Sequence, residues 1–350
     1  MPSPTDFNLS PYFDDFTESK KFHRVLFRPA FAVQARELTQ SQTLLQNQIE
    51  KFGDHVFKQG SIVIPGGVAF DDKYYAVKLT SIASANTLAQ FTTGTIITGG
   101  TSGVVAEIIN TEALSGSDPD TLYVKYEKTG SNNTSFVFSD GETITGTNSD
   151  SVSLSAVVNT TATGSAAIGK TGTFYINGFF VQADAETLIL DKYTNTPSYR
   201  VGYTITESFV TPNDDTTLND NATGSSNVNA PGAHRFKILL TLAKKTLSST
   251  EDSNFFEILR VENGRVKGQA RATEYNILEE TLARRTFDES GDYVLTNPEF
   301  DVREHLLSGT NRGINTSGNG GLATKLAVGV SPFKAYVNGY EAEILSTTYV

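Results

Sequence analysis

The chain has 350 residues, with 28 Lys and Arg against 39 Asp and Glu, a net charge of −11 and no cysteine. That balance argues against a basic face for displacing counterions from a nucleic-acid duplex and against an anionic membrane surface, leaving room only for a local basic patch that no run of Lys and Arg supplies; zero cysteine excludes disulfides, thiolate metal sites and thiol nucleophiles. Hydrophobic residues at 38% can bury real cores, while charged residues at 19% leave room for Ser, Thr, Asn and Gly, the composition of β-rich, turn-rich chains.

Met1 to Asp6 have neither the basic start nor the apolar run of a signal peptide, and no stretch approaches the ~20 apolar residues of a membrane span. The expectation is a protein made in a cytoplasm without membrane insertion, leaving by a route that needs no such signal, such as a particle released by lysis. Residues 1–32 read as an extended docking arm. Pro2, Pro4, Pro11 and Pro29 prevent a long helix, and the segment carries Phe7, Tyr12, Phe13, Phe16, Phe22, Phe27 and Phe31. An arm cannot bury so many rings by itself, so they pack either on the following domain or on a partner subunit.

Residues 33–59 are expected to form the one long helix. Leu38, Leu45 and Phe52 recur every seven residues, and Gln42, Ile49 and Val56 interleave at steps of four and three. This is a d/a heptad pattern with one polar a position, the signature of a helix that joins copies of itself. A helix lying on its own domain is the alternative for so few heptads. From Gly60 the pattern turns to strands, and residues 60–90 with 161–350 read as a main β-rich region.

Residues 91–160 read as an inserted small β-sandwich or barrel. Short alternating runs such as Val104–Ile109, Leu122–Tyr126, Phe136–Phe138 and Val152–Leu154 are separated by turns at Thr98–Gly100, Ser117–Asp120 and Ser139–Gly141. Three hairpins carry the Asn-Gly turn of type I′ geometry: Asn177-Gly178, Asn263-Gly264 and Asn338-Gly339. The first and third share Tyr-x-Asn-Gly-aromatic, which reads either as a weak internal repeat or as ordinary hairpin chemistry. Residues 211–232 form a polar loop, and a second helix is expected near 270–286, through Ile277, Leu278 and Leu282. The run Ile344 to Val350 reads as a strand cut off in mid-sheet, with a continuing native chain as the expectation. The fold class is therefore mainly β with one long N-terminal helix, elongated and built of several modules.

No catalytic, cofactor or metal constellation emerges. His23, His55, His234 and His305 have no zinc-motif spacing, and there is no nucleophile elbow or phosphate-binding loop. The acidic pairs Asp14-Asp15, Asp71-Asp72 and Asp214-Asp215 suit turns and caps better than a glycosidase pair. Asn213 to Asn221 offers oxygens for calcium without regular EF-hand spacing. The expectation is no enzyme and no cofactor.

The blocks Pro11–Phe16, Lys21–Pro29 and Val33–Glu50 resemble the start of a family of uncharacterised virion proteins of contractile-tailed bacteriophages, cyanophages among them. Leu282–Tyr293 and Lys334–Glu341 match later blocks of it. Thr101-Ser102-Gly103 and Gly141–Gly146 resemble marks of β inserts in phage structural proteins. The resemblance implies a virion structural protein, assembled in the host cytoplasm, at the baseplate or the root of a tail fibre. It supplies no catalytic residues. The resulting expectation is a homotrimeric connector whose helices meet through Leu38, Gln42, Leu45, Ile49, Phe52 and Val56. Its arm docks on other baseplate or tail-fibre proteins through Tyr12, Phe13, Phe16, Phe22 and Phe27. The alternative is a tail-fibre or tailspike protein that binds or depolymerises a host-surface glycan; the lack of tryptophan weighs against it.

Overall fold

The computed structural model describes residues 4–130, 134–270, 275–308, 311, 313–315, 317–344 and 347–350. Helix α1 (Ala35–Asp54) is followed by β1 (Ile62–Ile64) and β2 (Val68–Ile82). Next come β3 (Ile96–Gly99), β4 (Val105–Glu112), β5 (Thr121–Lys128) and β6 (Thr143–Thr147). The chain returns through β7 (Ser153–Gly169), β8 (Gly172–Ile176), β9 (Phe179–Ala183) and β10 (Glu186–Asp191). A four-stranded sheet follows, from β11 (Tyr199–Val210), β12 (Arg235–Thr246), β13 (Phe255–Glu262) and β14 (Arg265–Gln269). Helix α2 (Asn276–Ser290) leads to β15 (Tyr293–Thr296), β16 (Phe300–Glu304), β17 (Leu326–Val330), β18 (Phe333–Val337), β19 (Tyr340–Ile344) and β20 (Thr348–Tyr349). Strands make up 43% of the chain and helix 14%, so the fold is mainly β. Part of the second helix expected near 270–286, residues 271–274, lies outside the described residues; α2 itself runs on to Ser290, where Gly291 ends it.

Strands β2, β5, β4, β3, β6 and β7 are neighbours in that order, and β6 also pairs with β7, so the ring closes. Alternate residues point inward, as the period of two requires. Ala106 and Ile108 of β4, Leu122 and Val124 of β5, Ile144 of β6, and Leu154, Ala156 and Val158 of β7 fill the interior. Phe136–Phe138, expected as a strand, is irregular; Phe138 is buried in that interior and its N–H lies 3.4 Å from the Tyr126 hydroxyl. The ring does not begin at 91 or end at 160. At 15 and 17 residues, β2 and β7 are long enough to serve two cores: Val77, Leu79 and Val158 line the ring, whereas Val68 and Ala167 belong to the main core.

In the main core, Val68, Ala167, Phe174 and Ile176 pack against Val201, Tyr203, Leu242 and Phe256 of the four-stranded sheet. Tyr203 is fully buried, and its hydroxyl has no hydrogen-bond partner among the described residues. A buried hydroxyl without a partner carries a desolvation cost and returns nothing. Tyr203→Phe is therefore expected to raise stability by about 1 kcal/mol, read as a higher midpoint in urea with unchanged slope; a lower midpoint would show that the hydroxyl is bonded.

The chain contains one architecture twice. In the first copy, β1 pairs with β8, Ile62 opposite Phe174 and Ile64 opposite Thr173, with a bulge between. In the second, β15 pairs with β18, Val294 opposite Ala335 and Thr296 opposite Lys334, with the same bulge. Next in each copy, Val68 of β2 faces Gly169 of β7, and Phe300 of β16 faces Val330 of β17. Finally β10 returns to pair with β7, and β20 with β17. Residues 62–68 and 294–300 thus correspond at constant spacing, as do 169–183 and 330–344. Each copy has a helix against its Asn-Gly turn. The turn residues have φ of 50° and 85° in Asn177-Gly178, and 52° and 76° in Asn338-Gly339. A Cβ on Gly178 would come within 2.9 Å of Glu50 in α1, and one on Gly339 within 2.9 Å of Arg284 in α2. The first copy carries β3–β6 between its second and third strands, whereas the second has only residues 305–325 there.

Candidate functional site

Helix α1 starts where Gln34 leaves extended backbone, and the Glu37 carboxylate accepts the Gln34 N–H at 2.9 Å. One side of the helix is tied down along its length. Thr43 donates to the buried Asp14, and Gln40 donates to Asp15 at 2.9 Å. Asn47 donates to Glu18 at 2.8 Å, and Lys51 pairs with the same carboxylate at 2.9 Å. From the first repeat's hairpin, the Tyr175 hydroxyl shares its one proton between the Glu50 carbonyl at 3.0 Å and the Asp54 carboxylate at 2.9 Å, and Gln46 donates to the Gly178 carbonyl at 2.6 Å. Gly53 lies against the Tyr175 ring, where a Cβ would come within 2.4 Å. Leu44 is the buried apolar anchor.

These contacts set the local electrostatics. The Lys20 ammonium bonded to Asp15, with Arg36 and Gln40 nearby, holds that carboxyl below its ordinary value. Asn47 and then Lys51 do the same for Glu18. Glu50 moves the other way, raised by burial and by the neighbouring Asp54.

The opposite side of α1 is bare. Leu38, Leu45, Ile49 and Phe52 are 52%, 69%, 44% and 69% exposed, and Gln42 is exposed among them. These are five of the six positions of the heptad pattern, on one stripe directly opposite the tethered side. Val56 is not on the stripe. The helix ends at Asp54, not at 59, because the chain turns so that Phe57 is buried against Tyr175, Phe180 and Tyr275; the N–H groups of Val56 and Phe57 close the turn on the Gly53 carbonyl. The expected start at 33 also moves, since Val33 and Gln34 precede the first turn.

The arm divides in two. Up to Phe16 it packs on its own chain, apart from the exposed Leu9 and Phe13. Phe7 meets Phe209 and Phe236 edge-on, and the Tyr12 ring lies 5.0 Å from Phe209 with its hydroxyl 2.8 Å from His234 Nδ1. Phe16 is half-buried. Phe13, Phe22 and Phe27 remain more than half exposed, at 56%, 59% and 53%. The aromatic density that marked the arm could not distinguish these two parts; the Asp14-Asp15 pair, set aside as a turn, is what anchors the arm to α1.

The other acidic pairs serve local geometry. Asp214 accepts from the backbone and hydroxyl of Thr211, and Asp215 does the same for Thr217. Asp71 accepts the Lys73 N–H at 2.8 Å. Among the described residues, no group of three His, Asp or Glu could hold a metal ion. No helix among them is long and apolar enough to cross a membrane.

A family model described as a domain of unknown function (DUF4815) matches residues 10–106 and 109–347. No curated protein and no solved structure matches the chain.

Proposed function

The chain belongs to the DUF4815 family, and we propose that it is a structural protein of a bacteriophage virion, a trimeric connector at the tail baseplate or tail-fibre root. The observation that carries the self-association is the bare stripe Leu38–Leu45–Ile49–Phe52 on a helix whose other side is fixed to the domain and the arm. A helix so held presents its apolar stripe at little ordering cost. The positions flanking the stripe, Thr39, Ser41, Gln46, Gln48, Gly53 and His55, carry no carboxylate, lysine or arginine. Parallel copies therefore meet without like-charge repulsion despite the net charge of −11. Gln42 supplies a polar layer that fixes register, with three amides able to bond to one another or around a water.

The tail assignment rests on the resemblance of Pro11–Phe16, Lys21–Pro29 and Val33–Glu50 to phage virion proteins. The test is mass spectrometry of purified tails after a high-salt wash. Apolar packing survives charge screening, so the protein is expected to stay at a fixed stoichiometry. Recovery only in the soluble lysate would overturn the reading.

A further inference from the structure

The second repeat has a face that the first repeat buries. Phe300, Val302, Leu326 and Val328 stand on one side of the β16–β17 hairpin and are 69%, 59%, 66% and 39% exposed. Their equivalents Val68 and Ala167 are fully buried in the core that β11–β14 complete, and Phe70, the equivalent of Val302, packs against it. The other side of the hairpin is polar: Arg303 pairs with Asp301, which accepts the Tyr349 hydroxyl at 3.2 Å. The hairpin is thus amphipathic with its apolar side outward. From α2 onward, the buried apolar residues among those described are only Ala283, Ala327 and Ala335. The outer edge is open as well. In the first repeat β5 pairs along β2, whereas the sheet of β16 runs β16-β17-β20, with no strand beyond β16 among the described residues. A contiguous exposed apolar face on a soluble protein marks an interaction site, and an open edge accepts an extended segment.

A second exposed feature fits it. Between Lys20, which pairs with Asp15, and Val33 the arm has no acidic residue and carries Lys21, Arg24 and Arg28, the last stacked on Phe31. Phe22, Leu26, Phe27, Phe31 and Val33 are all more than half exposed, and residues 22–28 form neither helix nor strand. The second repeat has the opposite charge: residues 288–304 hold Asp288, Glu289, Asp292, Glu299, Asp301 and Glu304 against Arg303 alone. Glu299, immediately before β16, and Glu304, its last residue, are exposed.

We propose that residues 20–33 of one copy dock on the β16–β17 face of a second copy, Leu26 and Phe27 covering Phe300 and Val302 while Arg24 and Arg28 meet Glu299 and Glu304. The arm exchange rests on the self-association read from α1 only in needing a neighbouring copy; its own basis is the matched charge and the two exposed apolar sets.

The cysteine-free chain makes the test direct. Full-length Phe27→Cys and Val302→Cys chains are co-expressed, oxidised and run on a non-reducing gel. A cross-linked pair several-fold above that of either variant alone supports the docking. Adding Arg24→Glu and Arg28→Glu to the first chain should abolish the cross-link, and Glu299→Lys with Glu304→Lys in the second should restore it. Absence of cross-linking between chains that circular dichroism shows to be folded overturns the proposal. A chain carrying both cysteines that closes on itself, giving a fast-migrating monomer, also overturns it by placing the arm on its own face. Light scattering separates the two readings. Trimers without cross-links sink the arm exchange and leave the α1 seam standing, whereas cross-links that persist with Ile49→Asp support the exchange independently of the seam.

Discussion

Ile49→Asp is expected to turn a three-fold assembly into monomers while leaving the β fold in place. Ile49 lies in the middle of the bare stripe of α1, flanked by Leu45 and Phe52 one turn away on either side. In a parallel trimer three such residues meet in one layer, so the substitution places three carboxylates where no lysine or arginine is at hand. Burying even one unpaired charge costs several kcal/mol, and a contact of under three heptads has no reserve to absorb it. In the monomer the same side chain is 44% exposed, so the aspartate there meets water and costs at most the tenths of a kcal/mol of a lower helix propensity. Light scattering read beside circular dichroism distinguishes the outcomes. The wild type should have three times the chain mass, and the variant one chain mass with the β signal retained. A wild-type monomer at micromolar concentration, or a variant that unfolds, would count against the seam.

Glu142→Ala is expected to be the most damaging single change in the ring formed by β2–β7. Glu142 is 4% exposed, and its carboxylate accepts from the N–H groups of Thr101 at 2.9 Å, Ser102 at 2.8 Å and Ser139 at 2.6 Å, and from the Ser102 hydroxyl at 2.8 Å. One side chain thereby ties the loop after β3 to the loop before β6. Its removal leaves four donors facing a void, at a cost of about 3 kcal/mol or more. Burial alone would push this carboxyl up, but the hydrogen bonds outweigh it and hold it below the ordinary glutamate value. A depressed folded value means that the charged form stabilises the fold. That contribution is complete above the unfolded value and is lost as pH falls through the folded one. Resistance of the wild type to urea should accordingly decline as pH falls through the ordinary glutamate value towards the lower folded one. Glu142→Gln, already weaker at neutral pH, should show a shallower pH dependence; equal slopes would mean that other carboxylates carry the acid response.

The sequence carries some of this openly and some not at all. The stripe on α1 is legible because a period of seven survives whatever the helix packs against. The end of that helix is not, because it is set by Phe57 entering a cluster with Tyr175, Phe180 and Tyr275, residues remote in the chain. Thr101-Ser102-Gly103 and Gly141–Gly146 stand out only as marks resembling those of β inserts, and nothing in their spacing says that one glutamate serves both. The repeat surfaces only at Tyr-x-Asn-Gly-aromatic, where turn geometry restricts the residues allowed. Its strands correspond through backbone register, and Val68 and Phe300, or Ala167 and Val328, share a position without sharing a residue. The arm's aromatics are visible as a group, but which of them stay uncovered depends on where Phe209 and Phe236 lie.

Strands β2 and β7 both pass from the main core into the ring, paired from Val68–Gly169 to Ile82–Ala156 with irregularities at Asp71–Tyr74 and Lys78–Ser81. A chain segment that crossed between the two bodies as a loop would act as a hinge. A hydrogen-bonded pair of strands is stiffer than a loop, although the bulge at Asp71–Tyr74 bends it between the two cores, so the ring is carried on a bent double strand. A pull along the pair loads the rungs of that ladder in shear, so that many must give way at once rather than peel apart one by one. For a part that has to hold its direction while its surroundings move, that is the stronger way to be attached.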